Sequence, residues 1–136
     1  MNMKNKKSTL TRIATMLLAV MLIAALGACS PKGPLVTVSV KIIDTTATVL
    51  SETVEVNEGA SAGDAVKKAC QAVKMPYIVK DGMYVNFNEH ESTPTDGWIL
   101  YINNELAQVG ADEYKVKAGD VLEFRYVNYD ETYFSE

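Results

Sequence analysis

Alternating apolar and polar positions mark the first predicted strand, Leu35 to Ile43. Its apolar side chains occupy every second position, at Val36, Val38, Val40 and Ile42. This period of two is typical of a strand with one buried face. A second such run, Thr48 to Val56, follows the polar residues 44–46, so the two runs predict an antiparallel hairpin.

The period then changes to that of a helix. Apolar side chains recur three or four positions apart, at Ala62, Ala65, Val66, Ala69, Cys70 and Val73. Ser61 followed by Asp64 gives a capping-box start to this segment. The stripe predicts one amphipathic helix lying on a sheet. It also places Cys70 in the core as a buried, inert thiol, and the alternative is a reactive cysteine.

The second half of the chain returns to strands and turns. Apolar runs predict four more strands, at Tyr77–Val79, Met83–Phe87, Gly97–Ile102 and Val121–Tyr129. Asp81-Gly82 between the first two predicts a hairpin, and the polar residues 88–96 predict a loop. Because one helix covers only one face of a sheet, the predicted fold is α+β. We expect a β-grasp-like mixed sheet with one crossing helix on one face and the other face partly open.

The N-terminal segment has the layout of a secretory signal. Its basic head contains Lys4, Lys6, Lys7 and Arg12. The uncharged run from Ile13 to Leu26 follows, and small residues end it. The run is too short to cross a bilayer as a helix, which takes about 20 apolar residues. Residues 1–28 are therefore predicted to be a signal peptide.

Leu26-Gly27-Ala28-Cys29 resembles the lipobox of bacterial lipoproteins. The resemblance implies that Cys29 carries a diacylglyceryl group and becomes the new N-terminus. Residues 29–34 are then the lipidated cysteine and a short linker, and residues 35–136 form one domain. The expected location is the extracytoplasmic face of the cell membrane, with the lipid as anchor. The alternative is an ordinary signal peptide with a chance cysteine.

Charge limits the partners of the predicted mature chain. Four of the 13 basic residues lie in the leader, so nine remain against 17 acidic residues, a net charge of −8. Such an acidic domain is repelled by nucleic acid and by anionic headgroups. We therefore expect no nucleic-acid partner, and contact with the membrane only through the lipid on Cys29.

Two stretches near the C-terminus resemble a known family. They are Gly97-Trp98-x-Leu100-x-Ile102-Asn103 and Val109-Gly110-Ala111-Asp112-x-Tyr114-x-Val116-x-x-Gly119-Asp120-x-Leu122-x-Phe124-x-Tyr126. Together they resemble the transcobalamin-like C-terminal domain family, a DUF4430-like, β-grasp-type module of secreted and lipid-anchored bacterial proteins. The resemblance extends over roughly Leu35 to Tyr129. It departs from many relatives at Asn104, where they have Gly, and at Leu100, where they often have an aromatic residue.

The resemblance implies a module that binds cobalamin, another corrinoid or a similar small molecule. In the cobalamin carriers the small domain closes over a corrinoid held against a larger helical barrel. Residues 35–136 contain no such barrel, so a partner protein would complete the binding site. The ligand-facing positions carried over from the family are Trp98, Leu100 and Tyr126.

The residues themselves leave two alternatives open. Trp98 alternates with Leu100 and Ile102, which favours a core position over stacking on a flat ligand. Tyr101 has the opposite parity, so an open sheet face bearing tyrosines is the second candidate surface. That alternative function is an interaction module that docks a protein or a cell-wall polymer without a small-molecule ligand.

Catalytic and metal chemistry have little support in the sequence. His90 has no second histidine nearby, which favours a solvated loop residue over a metal ligand. The acidic stretch Asn86–Glu91 lacks the ligand order of a calcium loop. Neither a nucleophile elbow nor a phosphate-binding glycine loop is present. We therefore expect no enzyme activity, no cofactor and no metal site.

Overall fold

The computed structural model describes residues 33–133 of the chain. Within that range the chain forms eight strands and two helices. In chain order they are β1 (Leu35–Asp44), β2 (Ala47–Asn57), α1 (Ala62–Ala72), β3 (Tyr77–Lys80), β4 (Met83–Phe87), β5 (His90–Glu91), β6 (Asp96–Ile102), β7 (Glu105–Leu106), β8 (Val121–Asn128) and α2 (Tyr129–Tyr133).

Five strands form the main sheet, in the order β2-β1-β8-β6-β7. Its central neighbours β1 and β8 run parallel, and the other neighbouring pairs run antiparallel. The first and last long strands therefore lie side by side, and α1 crosses over and packs on β1 and β2. The predicted α+β class, with a β-grasp-like mixed sheet and one crossing helix on one face, is confirmed.

Strand β1 buries one side, as its alternation predicts. Val38, Val40 and Ile42 are at most 1% exposed, whereas Thr37 is exposed. Burying each of these aliphatic side chains contributes about 1.5–3 kcal/mol. Strand β2 pairs antiparallel with β1 over its whole length, which confirms the hairpin.

Helix α1 begins at the predicted capping box. The Asp64 amide donates to Ser61 Oγ at 3.0 Å, and the Ser61 amide donates to the Asp64 carboxylate at 3.1 Å. Cys70 is fully buried, as predicted, and burial raises its pKa to about 11. Val73, by contrast, caps the C-terminus of the helix and is 44% exposed. The apolar stripe therefore ends one turn earlier than the sequence predicts.

A second, three-stranded sheet has the order β3-β4-β5. Asp81-Gly82 joins β3 to β4, as predicted, but the predicted loop over residues 88–96 is partly wrong. His90 pairs with Phe87 across a tight turn in which Asn88 and Glu89 both have positive φ, and this forms β5. The sequence does not indicate so short a strand, because its side chains are polar and only backbone hydrogen bonds define its pairing.

The Gly119-Asp120 motif organises a turn in the core. The Asp120 carboxylate accepts hydrogen bonds from Asn103 Nδ2 at 3.0 Å, the Tyr114 hydroxyl at 2.9 Å and the Lys117 amide at 2.8 Å. Burial opposes ionisation of this carboxyl, but the three donors outweigh burial and lower its pKa. This part of the family motif therefore ties the β6–β7 turn to the segment before β8.

Candidate functional site

An open pocket with a volume of about 370 Å³ lies between β4 and β6. The segment 107–111 and helix α2 form its other walls. Its lining residues are Gly82, Met83, Tyr84, Val85, Ser92, Trp98, Ile99, Leu100, Ala107, Val109, Gly110, Ala111, Phe124, Tyr129 and Tyr133. The volume is near the lower end of the range of about 300–1,000 Å³ that is usual for small-molecule sites.

Buried aromatic rings form the floor of the pocket. The ring centroids of Tyr84 and Phe124 lie 4.9 Å apart, and Trp98 is only 5% exposed. The polar atoms of these rings are already used, because Trp98 Nε1 donates to the carbonyl oxygen of His90 at 2.9 Å. The Tyr84 hydroxyl likewise donates to the carbonyl oxygen of Gly63 at 3.2 Å. The floor therefore presents an apolar surface.

Polar atoms gather at one end of the pocket, at the Cβ position of Gly97 and on the side of β6 opposite to the Trp98 side chain. A Cβ atom on Gly97 would lie 1.9 Å from the Tyr129 hydroxyl oxygen and 2.8 Å from Ser92 Oγ. Glycine lets both hydroxyls approach the backbone of β6 closely. The Gly-Trp pair therefore has two local roles, a close approach at Gly97 and a floor ring at Trp98.

Exposed apolar side chains surround the opening. Six large hydrophobic residues are exposed among residues 33–133, and three of them line this pocket. They are Met83, Val109 and Tyr133, which are 65%, 43% and 51% exposed. Such clustering of exposed apolar surface is typical of a binding site.

Two of the three predicted ligand-facing residues line the pocket. Leu100 and Trp98 contribute to its wall and floor, although Trp98 is also the core residue that its alternation favours. Tyr126 does not line the pocket. Its ring stacks on His90 with the centroids 3.8 Å apart, and its hydroxyl donates to the carbonyl oxygen of Glu91 at 3.1 Å.

The prediction that His90 is a solvated loop residue is wrong. Its Nδ1 lies 2.9 and 3.0 Å from the two carboxylate oxygens of Asp44, and its ring packs edge-on against Trp98. The side chain is 38% exposed and anchors β5 to the end of β1. Asp44 lies 46 positions away, so local sequence could not indicate the contact.

Metal-ligating groups do not gather in the described part of the chain. Within residues 33–133 no three or more His, Cys, Asp or Glu side chains are placed to hold an ion. Neither helix within residues 33–133 has the length and hydrophobicity of a membrane-spanning segment.

Tyr101 lies on the opposite face of the sheet from the floor rings, as its parity predicts. The Arg125 guanidinium stacks over its ring, 4.0 Å from the centroid, and also pairs with Glu123 at 2.8 Å. Asn104 Oδ1 accepts a further hydrogen bond from Arg125 at 2.8 Å. This face therefore presents a polar network around one aromatic ring.

Helix α2 supplies pocket residues that sequence reasoning missed. The last strand ends at Asn128, one residue earlier than predicted, and Tyr129 begins the helix. Asn128 Oδ1 accepts hydrogen bonds from the amides of Asp130 and Glu131 at 3.1 and 3.3 Å. An asparagine before two acidic residues is a helix-start signal that could have revealed α2.

The predicted lipidation site lies outside the described residues. Cys29 and the leader 1–28 precede residue 33, the first residue that the structure describes. The signal peptide, the lipid anchor and the linker therefore stay predictions.

Comparison with known proteins identifies the family. Residues 44–128 match the family described as "Domain of unknown function (DUF4430)". No curated protein matches the chain.

Two solved structures share the fold. One is haptocorrin in complex with Cbi, with a TM-score of 0.63 and 18% identity over 74% of this chain, which spans only 27% of the haptocorrin chain. The other is a "putative metal binding protein" from Ruminococcus gnavus, with a TM-score of 0.51 and 14% identity over 68% of this chain and 97% of that one. The family match covers more than half of the sequence, and the chain therefore belongs to the DUF4430 family.

Proposed function

We propose that this chain is an extracytoplasmic binding module that holds a small molecule in the pocket between β4 and β6. The observation that carries the proposal is the pocket itself, with an aromatic floor and an exposed apolar rim. Covering the rim with a ligand removes from water the exposed side chains of Met83, Val109 and Tyr133.

A corrinoid is the more specific ligand that we propose. The fold is similar to that of haptocorrin, which was solved with a cobalamin analogue. The pocket of about 370 Å³ is smaller than a corrinoid, so only an edge or a side arm of the ligand would enter it. A partner protein would then cover the remainder of the ligand.

The module is proposed to bind without catalysing a reaction. The pocket lining contains no carboxylate, imidazole or thiol that could act as a general acid, a base or a nucleophile. Cys70 is buried with a raised pKa, which suppresses the thiolate that reactions require.

The module is proposed to act at the membrane surface. The leader 1–28 and the lipobox-like stretch ending at Cys29 support a lipid anchor. A linker that ends at residue 34 would keep the domain close to the bilayer, because five extended residues reach at most roughly 18 Å.

Calorimetric titration of the mature chain, residues 29–136, with cobalamin tests the proposal. Saturable heat is expected, and Met83→Glu should weaken binding by about tenfold or more because it places a charge at the apolar rim. Ile78→Glu is the matched control, since Ile78 is 46% exposed and lies outside the pocket. No saturable heat up to about 1 mM, which corresponds to roughly −4 kcal/mol, contradicts a stand-alone corrinoid site.

The second candidate function is docking of a protein or a cell-wall polymer through the face that carries Tyr101. The stacked Arg125 guanidinium favours it, because Tyr and Arg are enriched at protein interfaces. A pull-down from membrane extracts distinguishes the two functions. A specific partner lost on Tyr101→Ala or Arg125→Ala, together with no corrinoid binding, favours docking.

A further inference from the structure

The pocket between β4 and β6 is uncharged throughout. None of its lining residues is Asp, Glu, Lys, Arg or His. The predicted mature chain nevertheless has 26 Asp, Glu, Lys and Arg residues. A charged ligand group entering this pocket would lose water and find no ion partner. The pocket therefore disfavours charge of either sign.

Besides Tyr84, the lining side chains that carry hydroxyls are Ser92, Tyr129 and, at the exposed rim, Tyr133, and the first two lie close together near Gly97. The Trp98 and Tyr84 donors are occupied by backbone carbonyls, as described above. Ser92 Oγ and the Tyr129 hydroxyl lie within 2.8 Å of one point, the position that a Cβ would take on Gly97. Within residues 33–133 neither hydroxyl has a hydrogen-bond partner in the protein, so both can bind a ligand.

The volume of the pocket limits the size of the ligand that it can hold. An engineered apolar cavity of about 150 Å³ holds one benzene molecule. A pocket of about 370 Å³ therefore has room for two or three fused rings. Its floor of aromatic rings, including Tyr84, Trp98 and Phe124, favours a flat ligand because offset and edge-on ring contacts add to area burial.

We infer that the pocket selects an uncharged, flat, mainly apolar group carrying one hydrogen-bonding atom, which meets Ser92 Oγ and the Tyr129 hydroxyl. The inference rests on the proposed function and specifies its ligand chemistry. The group is either a small molecule of its own or the neutral edge of a larger ligand.

The test is an amide-shift titration of the ¹⁵N-labelled mature chain with four bicyclic probes. They are 2-naphthol, naphthalene, 2-naphthoate and 2-naphthylmethylammonium. The acidic surface of the chain attracts the cationic probe and repels the anionic probe. Weak binding of both probes would therefore be caused by the uncharged pocket and not by the surface charge. Shifts at Gly97, Leu100 and Ala111 report binding in the pocket.

We expect 2-naphthol to bind in the pocket and both charged probes to bind at least about tenfold more weakly. Naphthalene should bind about three- to tenfold more weakly than 2-naphthol, the effect of one neutral hydrogen bond. Ser92→Ala with Tyr129→Phe should remove that difference and leave naphthalene binding unchanged. Ser51→Ala, which removes an exposed hydroxyl on β2 outside the pocket, is the control and should change nothing.

Different outcomes test the selectivity for uncharged ligands and the role of the Ser92 and Tyr129 hydroxyls. Equal binding of charged and neutral probes in the pocket overturns the selectivity inference and leaves the pocket as a ligand site. An unchanged preference for 2-naphthol in the double variant overturns the role of Ser92 and Tyr129. If neither these probes nor cobalamin shifts the pocket amides, both the inference and the proposed function fail.

Discussion

Trp98 Nε1 donates a hydrogen bond to the carbonyl oxygen of His90 at 2.9 Å, and the ring of His90 packs edge-on against the same indole. The floor of the pocket is thereby joined to the chain's single histidine. Because His90 is held by Asp44 and stacked on Tyr126, the end of β1 positions a pocket residue through β5.

Replacing His90 tests this support. His90→Ala should lower the free energy of unfolding by about 1–2 kcal/mol, because it removes a ring stack and a partly exposed hydrogen bond. His90→Phe keeps the stack and should lose roughly half as much. Urea unfolding followed by Trp98 fluorescence measures both variants. Equal stability of His90→Ala and the wild type would show that the contact contributes nothing.

Gly97 should be intolerant of a side chain because of Tyr129. A Cβ at this position must displace the Tyr129 hydroxyl, which lies 1.9 Å away. Gly97→Ala should cost about 1–3 kcal/mol, and much less in a Tyr129→Ala background, so a double-mutant cycle should be non-additive. Gly110→Ala is the control, because nothing lies within 4 Å of its Cβ position. Additive effects of the two substitutions would contradict the close approach.

Asp120 should make stability depend on pH. Its pKa is lowered in the folded chain, so its carboxylate stabilises the fold above its ordinary pKa near 3.8 and loses that contribution as pH falls. Asp120→Asn should cost about 1–3 kcal/mol at pH 7, and this cost should shrink toward pH 3. Urea unfolding at both values measures it, with Glu113→Gln as an exposed control. A cost that does not change with pH would contradict an ionised Asp120.

Lipidation of Cys29 can be tested on protein isolated from its native cells. Intact mass should correspond to a chain that begins at Cys29 and carries acyl groups, and the protein should fractionate with membranes. Two acyl chains hold a protein firmly, since each buried methylene contributes about 0.8 kcal/mol. Cys29→Ser should release the protein from membranes. A native mass without acyl groups would exclude the anchor.

The sequence predicts those elements whose geometry depends on residues close together in the chain. The alternation of β1 and the capping box of α1 are readable in the sequence because their geometry depends on neighbours a few positions away. The Asp81-Gly82 hairpin was predictable for the same reason. The exposure of Val73 does not follow from the apolar stripe, because the stripe does not fix the residue at which the helix ends.

The pocket was harder to predict because its walls come from distant segments. The hydroxyls of Ser92 and Tyr129 both lie close to the Cβ position of Gly97, and neither residue shows a pattern of its own in the sequence. The family resemblance led to Trp98 and Leu100, which line the pocket, and to Tyr126, which does not. Tyr126 is on the same sheet face as Trp98, but the β5 segment covers it through Glu91 and His90.

An amide-shift map of the mature chain titrated with cobalamin tests directly whether the pocket between β4 and β6 holds a corrinoid. We expect saturable shifts that cluster around the pocket, at Gly97, Leu100, Ala111 and Tyr129. Shifts confined to the surface around Tyr101 and Arg125, or no shifts up to about 1 mM ligand, would contradict a ligand site in the pocket.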